Sequence, residues 1–138
     1  MKRLALCVIA AALGGCATID RLDGKLCKES ADGMVPLKAV HVMNTNWLLL
    51  SFIPLASGNP DRPNECSCCW FTNTVTLDNQ LRMLAAESKR VGAKRADDLL
   101  SYSSKESVFF FLLKREKIHT SAVLVKDAPP AWKEALEK

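Results

Sequence analysis

The N-terminal stretch, which ends at Cys16, is the feature that most limits what this chain can fold into. Lys2 and Arg3 form a short basic head, and residues 4–13 are an almost unbroken apolar run. A basic head, about ten apolar residues and small residues before a cleavage point are typical of a secretory signal. The run is too short to span a bilayer, which takes about twenty apolar residues. We therefore expect residues 1–15 to be removed, which leaves residues 16–138 to fold.

The tetrapeptide that closes this stretch is Leu13-Gly14-Gly15-Cys16, and it resembles the lipobox of bacterial lipoproteins. The resemblance implies that a diacylglycerol transferase acylates Cys16, which becomes the N-terminus after cleavage. Acyl chains contribute about 0.8 kcal/mol per buried CH₂, so three chains would hold the protein on a membrane almost permanently. The family's inner-membrane retention signal is an Asp after the cysteine, and Ala17 stands there instead. The resemblance thus implies an outer-membrane lipoprotein, which we expect to face the periplasm.

Length and charge limit the remaining chain to one small domain without a nucleic-acid surface. Residues 16–138 are enough for a modest core. The formal net charge of +4 falls to +2 when Lys2 and Arg3 leave with the signal, and acidic residues are interspersed with the basic ones. No basic stripe results, so we expect no nucleic-acid partner. The expected partners are the membrane, through the lipid, and another envelope protein.

Composition divides the mature chain into a tether, a domain and a tail. Residues 16–34 are polar and carry little apolar surface, so we expect a mobile tether unless Cys27 ties it down. Residues 35–126 contain the apolar segments and are expected to form a single domain. Pro129-Pro130 breaks the chain, and residues 127–138 are expected to be a C-terminal tail.

Residues 77–91 have the clearest helical pattern. Thr76 is a suitable N-cap, and Gly92 is suited to end the helix in a left-handed conformation. Apolar residues recur at helical spacing and charged residues occupy the opposite face. The apolar positions are Leu77, Leu81, Leu84, Ala85 and Val91, and the charged positions are Asp78, Arg82, Glu87, Lys89 and Arg90.

The other apolar runs indicate strands, so we expect an α+β fold with one central amphipathic helix packed on a small, mainly antiparallel sheet. Arg115-Glu116-Lys117 is interpreted as a charged turn between the last two strands. The predicted strands are Leu37–Asn44, Trp47–Ile53, Asp98–Ser103, Val108–Leu113 and Ile118–Val125. The helix, its Gly92-Ala93 exit and the strands that follow resemble the YbjQ-like and RcsF-like group of small envelope lipoproteins over residues 77–126. The cysteine placement differs from that of the RcsF-like proteins, so no signalling role is implied.

The segment Trp47–Ala56 is the most apolar of the mature chain. We expect a strand buried on both faces, with Pro54 confined to its end. The alternative is an apolar loop that dips into the leaflet or docks a partner, because exposed apolar patches mark such sites. The candidate contact residues are Trp47, Leu48, Leu49, Phe52, Ile53 and Trp70.

Four cysteines besides Cys16 remain after cleavage, namely Cys27, Cys66, Cys68 and Cys69. In an oxidising periplasm they are candidates for disulfides, and four thiols allow three pairings. We favour a bridge from Cys27 to one member of the cluster. A soft-metal site is the alternative, because Cu(I) and Zn²⁺ prefer sulfur, but the spacing is not that of a structural zinc site. We therefore predict no metal site and no cofactor.

The sequence contains no catalytic constellation. His41 and His119 each lie in a predicted strand, and Asp97-Asp98 lies at a strand entry, where carboxylates usually face water. The serines lack a nucleophile-elbow context. We therefore expect a non-catalytic lipoprotein with a structural, partner-binding or envelope-sensing role. The alternatives are a cysteine-based periplasmic metal or redox sensor and a small hydrolase inhibitor.

Overall fold

The structure, a computed structural model, describes residues 16–23, 34–65, 68–110 and 112–127. This part of the chain contains six strands and one helix. The strands form a single sheet, and the helix packs on one face of it. The elements in chain order are β1 (Ala17–Asp23), β2 (Met34–Leu49), β3 (Ile53–Gly58), β4 (Cys68–Trp70), α1 (Leu77–Val91), β5 (Arg95–Phe109) and β6 (Leu113–Asp127).

The sixteen-residue strand β2 organises the sheet. Its whole length pairs with β6, and β5 lies beyond β6. Its other edge is shared, because β1 pairs with residues 38–44 and β3 pairs with residues 46–49. The short strand β4 then extends the sheet beyond β3. All pairings are antiparallel, so the strand order is β4-β3-β2-β6-β5, with β1 also on β2.

The expected α+β fold with a central helix is wrong. Strands make up 62% of the described residues and helix only 15%, so the domain is mostly an antiparallel sheet with one helix on one face. The error arises in the last two strands, which are each fifteen residues long. Residues 115–117 lie inside β6, where Arg115 pairs with Glu106 and Glu116 pairs with Lys105 across to β5. The composition of residues 115–117 indicated a turn, but the pairing of opposite charges across β5 and β6 stabilises this segment as a strand.

The predicted strand Trp47–Ile53 is also wrong. Trp47–Leu49 ends β2, residues 50–52 form the turn, and Ile53 begins β3. Leu50 and Ser51 have φ values of 53° and 75°. Two consecutive left-handed residues give a hairpin whose twist matches that of its strands. Likewise, the predicted central strand Val108–Leu113 contains the turn between β5 and β6.

The helix has the predicted bounds, and its caps explain them. The Thr76 side chain accepts a hydrogen bond from the Asn79 N–H, and Gly92 has a φ of 69° at the C-cap. The inward face differs from the prediction, because Glu87 is buried whereas Leu77 and Leu81 are exposed. The core between helix and sheet consists of Ala17, Ile19, Val40, Val42, Met83, Leu84, Ala122 and Leu124.

The first strand overturns the expectation of a tether over residues 17–23. These residues pair with β2 from Ala17↔Asn44 to Asp23↔Lys38, and Ala17 and Ile19 are core residues. The polar residues between them misled the prediction, because only alternate side chains of a strand face the core. Residues 24–33 of the expected tether and residues 128–138 of the expected tail lie outside the described residues.

Candidate functional site

Two hairpin turns meet at one end of the sheet. The turn between β2 and β3 lies beside the turn between β5 and β6, because Leu49 and Leu113 are paired. The Leu50 N–H donates a hydrogen bond of 2.8 Å to the Leu112 carbonyl, which joins the two turns directly. This end of the domain is therefore one continuous surface.

The side chains on this surface are apolar and exposed, which is unusual for turns. Phe110 is 81% exposed, and Phe52 and Phe71 are 71% and 73% exposed. We define the apolar rim as the exposed large apolar residues of the two turns and of the β4 end. They are Leu50, Phe52, Ile53, Trp70, Phe71, Val108, Phe109, Phe110 and Leu112.

The short strand β4 extends the apolar rim from the turns toward Cys16. Trp70 is in register with Ala56, and the Phe71 N–H donates to the Leu55 carbonyl, nearer the turn. At the other end of β4, Cys68 is in register with Gly58. The Gly58 Cα lies directly against the backbone of Cys16, as the position of an added Cβ shows. The rim thus runs along one margin of the sheet between Cys16 and the turns.

Three bulky residues of the apolar rim hold a left-handed backbone. Leu50, Phe71 and Phe110 have φ values of 53°, 55° and 46°. This conformation costs an ordinary residue about 1–2 kcal/mol, and Gly or Asn would adopt it more easily. Strained backbone of this kind concentrates at functional sites. Large apolar side chains are therefore present where turn geometry favours small or polar ones.

The two hairpin turns contain no charged residue, and the nearest charged residues lie in the strands that adjoin the β5–β6 turn. Residues 48–56 and 107–113 contain no acidic or basic residue. Behind the β5–β6 turn, Lys114 begins a basic pair with Arg115. The Arg115 guanidinium binds Glu106 and lies 5.6 Å from the centroid of the Trp47 ring. The apolar rim is thus an uncharged surface whose border at the β5–β6 hairpin carries Lys114 and the Arg115–Glu106 ion pair.

The Cys16 end of β1 is held firmly by backbone and side-chain hydrogen bonds. The Cys16 carbonyl accepts from the Thr45 N–H at 3.0 Å. The Asn64 side chain pairs with the outer edge of β1, because it accepts from the Ile19 N–H at 2.8 Å and donates to the Ile19 carbonyl at 3.1 Å. Cys16 itself is exposed. The position expected to carry lipid therefore lies on the surface of a well-anchored strand.

Three of the six candidate contact residues are exposed and three are not. Trp47 and Leu48 are buried and Leu49 is half-buried, whereas Phe52, Ile53 and Trp70 are exposed and belong to the apolar rim. The sequence argument missed the β5–β6 half of the rim. The run Val108–Leu113 was the available signal, but a short apolar run cannot distinguish a buried strand from an exposed turn.

The cysteine predictions fall partly outside the described residues. Cys27, Cys66 and the Cys68 side chain are not described, so the favoured bridge from Cys27 is not tested. No disulfide joins Cys16 and Cys69, and Cys69 lies half-buried on β4 opposite Ser57. Among the side chains that the structure describes, no three of the His, Cys, Asp and Glu groups form a metal-binding cluster.

The two histidines meet on the sheet face opposite the helix. The His119 Nδ1 lies 3.2 Å from the His41 Nε2, and the Tyr102 ring stacks on His119 at 4.7 Å between centroids. Asp20 lies 3.8 Å from the His41 Nδ1. Burial lowers the pKa of His119, and the charge of His41 lowers it further. Sequence reasoning placed both histidines in strands but had no means to place them in contact.

Comparison of the chain with protein-family models, with curated proteins and with solved structures found no match. Among the described residues, no helix is long and apolar enough to cross a membrane.

Proposed function

We propose that this protein is a bacterial lipoprotein, anchored through acylated Cys16 to the outer membrane and facing the periplasm, that acts by binding rather than by catalysis. The observation that carries the proposal is the position of Cys16 relative to the fold. β1 begins at Ala17, so the chain enters the sheet directly after Cys16. Cys16, which would carry the lipid, is an exposed residue.

The same geometry favours a domain held directly against the membrane. Ala17 is 2% exposed and Ile19 is 5% exposed, and both contact the core. No residue therefore separates Cys16 from the folded domain, because Ala17 is already part of β1 and of the core. A lipoprotein with a long spacer can reach across the periplasm, whereas a domain attached in this way acts at the surface of its own membrane.

The proposal is tested by expressing the full chain in a Gram-negative host and comparing Cys16→Ala with Cys69→Ala. For the unsubstituted chain and for Cys69→Ala, we expect partition into the detergent phase and an intact mass that shows loss of residues 1–15 and addition of diacylglycerol and a third acyl chain. Cys16→Ala is expected to lack the acyl mass. Acylated protein recovered from the outer-membrane fraction supports the proposal. An unsubstituted chain without acyl mass contradicts it.

A further inference from the structure

We propose that the apolar rim inserts into the lipid leaflet that holds the Cys16 anchor, so that the domain is attached at two places and lies on the membrane in one orientation. This inference rests on the proposed lipid anchor for its orientation. The attraction of the rim for lipid depends only on the rim itself, so the two can be tested separately.

The first argument is that the segments at the far end of the sheet cannot cover the rim. Residues 128–138 leave the sheet at Asp127, and Leu113 is fourteen strand residues away, or about 46 Å. Eleven residues span at most about 40 Å when fully extended. The two hairpin turns of the apolar rim thus lie beyond the reach of residues 128–138.

Residues 24–33 are excluded by a similar argument. They leave β1 at Asp23, which is paired with Lys38, and return to Met34. Because both ends of this ten-residue segment are fixed at the same end of the sheet, it extends at most about 18 Å from the sheet. Lys38 and Leu49 are eleven strand residues apart, or about 36 Å. Residues 1–15 are the long segment that does reach, because Cys16 is bonded to Thr45, about 17 Å along β2 from Leu50.

The second argument is that four backbone N–H groups of the apolar rim are already hydrogen-bonded within the protein. Polar backbone groups enter lipid only when they are hydrogen-bonded within the protein. The Phe52 N–H donates to Leu49 and the Leu112 N–H donates to Phe109, each within its own turn. The Leu50 and Phe71 N–H groups donate to the carbonyls of Leu112 and Leu55. These four N–H groups of the apolar rim would enter lipid without losing a hydrogen bond.

The third argument is the distribution of charge. The two turns carry no charged residue, and Lys114 and the Arg115–Glu106 ion pair lie immediately behind the β5–β6 turn. This order suits a bilayer, because uncharged side chains enter the acyl region while Lys114 lies at the level of the anionic headgroups, which attract lysine. A surface that binds a protein partner would instead be expected to include polar groups that form specific hydrogen bonds with that partner. A lipid leaflet is therefore the occupant that the chemistry favours.

The affinity of the rim is measured on the chain of residues 16–138 with Cys16→Ser, which retains every described element and cannot be acylated. The probe is vesicles of phosphatidylethanolamine and phosphatidylglycerol at three to one, in a flotation assay. We expect binding that falls at least tenfold in the Phe52→Ser/Phe110→Ser double variant. The matched control is Leu100→Ser/Tyr102→Ser, which alters two exposed residues of β5 outside the rim and is expected to bind as the parent does.

Orientation is measured on the acylated protein reconstituted in the same lipid with brominated acyl chains. Bromine quenches a nearby tryptophan, so the difference in quenching between the parent and Trp70→Phe reports on Trp70. We expect substantial quenching of Trp70, and its loss in the Phe52→Ser/Phe110→Ser variant. Circular dichroism of each variant checks that it is folded.

The proposal is overturned if the Cys16→Ser chain does not bind vesicles, or if the control variant loses as much binding as the Phe52→Ser/Phe110→Ser variant. It is also overturned if Trp70 of the acylated protein is not quenched. The last contradicting result is an apolar rim that is covered by residues 1–15 or by a second copy of this chain. Gel filtration identifies the second copy as a dimer that Phe110→Ser dissociates. If Cys16 is not acylated but the Cys16→Ser chain still binds vesicles through the rim, the anchor proposal fails while the rim proposal stands.

Discussion

Arg21 of β1 and Glu87 of α1 form a two-pronged ion pair across the helix–sheet interface. The Arg21 Nε and Nη2 donate to the two Glu87 carboxylate oxygens at 2.7 and 3.0 Å. Arg90, one helical turn further on, donates to the same carboxylate at 2.8 and 2.7 Å. Glu87 is 3% exposed, so its charge depends on these two guanidinium groups.

We predict that Glu87→Gln lowers the free energy of unfolding by about 2 kcal/mol, the usual contribution of hydrogen bonds between charged groups. Arg90 and Arg21 lower the pKa of Glu87 from 4.5 to about 2. The unfolded chain thus takes up the proton first as the pH falls, and the stability that Glu87 contributes is complete above about pH 5 and lost toward pH 2. Urea titrations at several pH values measure both effects.

The matched control for Glu87 is Asp61→Asn. Asp61 pairs with Arg82, and both side chains are more than half exposed, so this substitution is expected to cost less than about 1 kcal/mol. If Glu87→Gln keeps the full acid dependence of the parent between pH 5 and pH 2, then Glu87 does not control it.

Gly58→Ala is predicted to disrupt the junction where β1 and β3 share the edge of β2. An added Cβ would overlap the backbone of Cys16 and Ala17 and the Asn44 Oδ1. We expect a loss of about 2 kcal/mol and a weaker hold on Cys16. Gly92→Ala is the comparison, because there the space is open and only the φ of 69° resists a side chain, at a cost of about 1 kcal/mol. Thermal unfolding measures both, and equal losses would contradict the steric explanation at Gly58.

Leu50→Asn is predicted to stabilise the domain and to weaken vesicle binding. Asn adopts the left-handed backbone of this hairpin turn more easily than Leu, so we expect the free energy of unfolding to rise by roughly 0.5–1 kcal/mol. The apolar rim loses one side chain at the same time. Leu100→Asn lies outside the turns and should give neither effect. A Leu50→Asn variant that is both less stable and equally bound to vesicles would refute the idea that strain is kept here for lipid contact.

His119 is predicted to titrate below its usual pKa of 6.5, because it is partly buried and faces His41. The unfolded chain therefore binds this proton more readily, and stability should fall as the pH drops below 6.5. His41→Ala is expected to raise the pKa of His119. Glu106→Gln removes the carboxylate that favours the charged form and is expected to lower it. Proton NMR of the imidazole ring measures the titration, and a shift in the same direction for both variants would contradict this account.

Local rules predicted the helix well, because its ends are decided within the segment itself. Thr76 and Gly92 occupy the cap positions that their chemistry favours. The buried face of the helix was predicted less well. The burial of Glu87 depends on Arg21, which is 66 residues away in the chain, and no periodicity within the helix can show such a partner.

The turns were predicted poorly for the same physical reason. Composition indicated a turn at residues 115–117, which lie in β6, and strands at residues 47–53 and 108–113, each of which contains a hairpin turn. Charged residues are accommodated in β5 and β6 because opposite charges are paired across the two strands. Local rules fail at the two turns because Leu50 and Phe110 hold a left-handed backbone there, a conformation for which residues of their type are not the favoured ones.

The sequence alone determined the helix with its caps, the position of Cys16 after an apolar run, and the presence of two further apolar runs in residues 47–56 and 108–113, since each depends on neighbouring residues. The tertiary structure decided that β1 is part of the core, that the two apolar runs become adjoining turns, and that His41 meets His119. These relationships depend on strand register, which pairs residues far apart in the chain, and register follows from the burial of one sheet face as a whole.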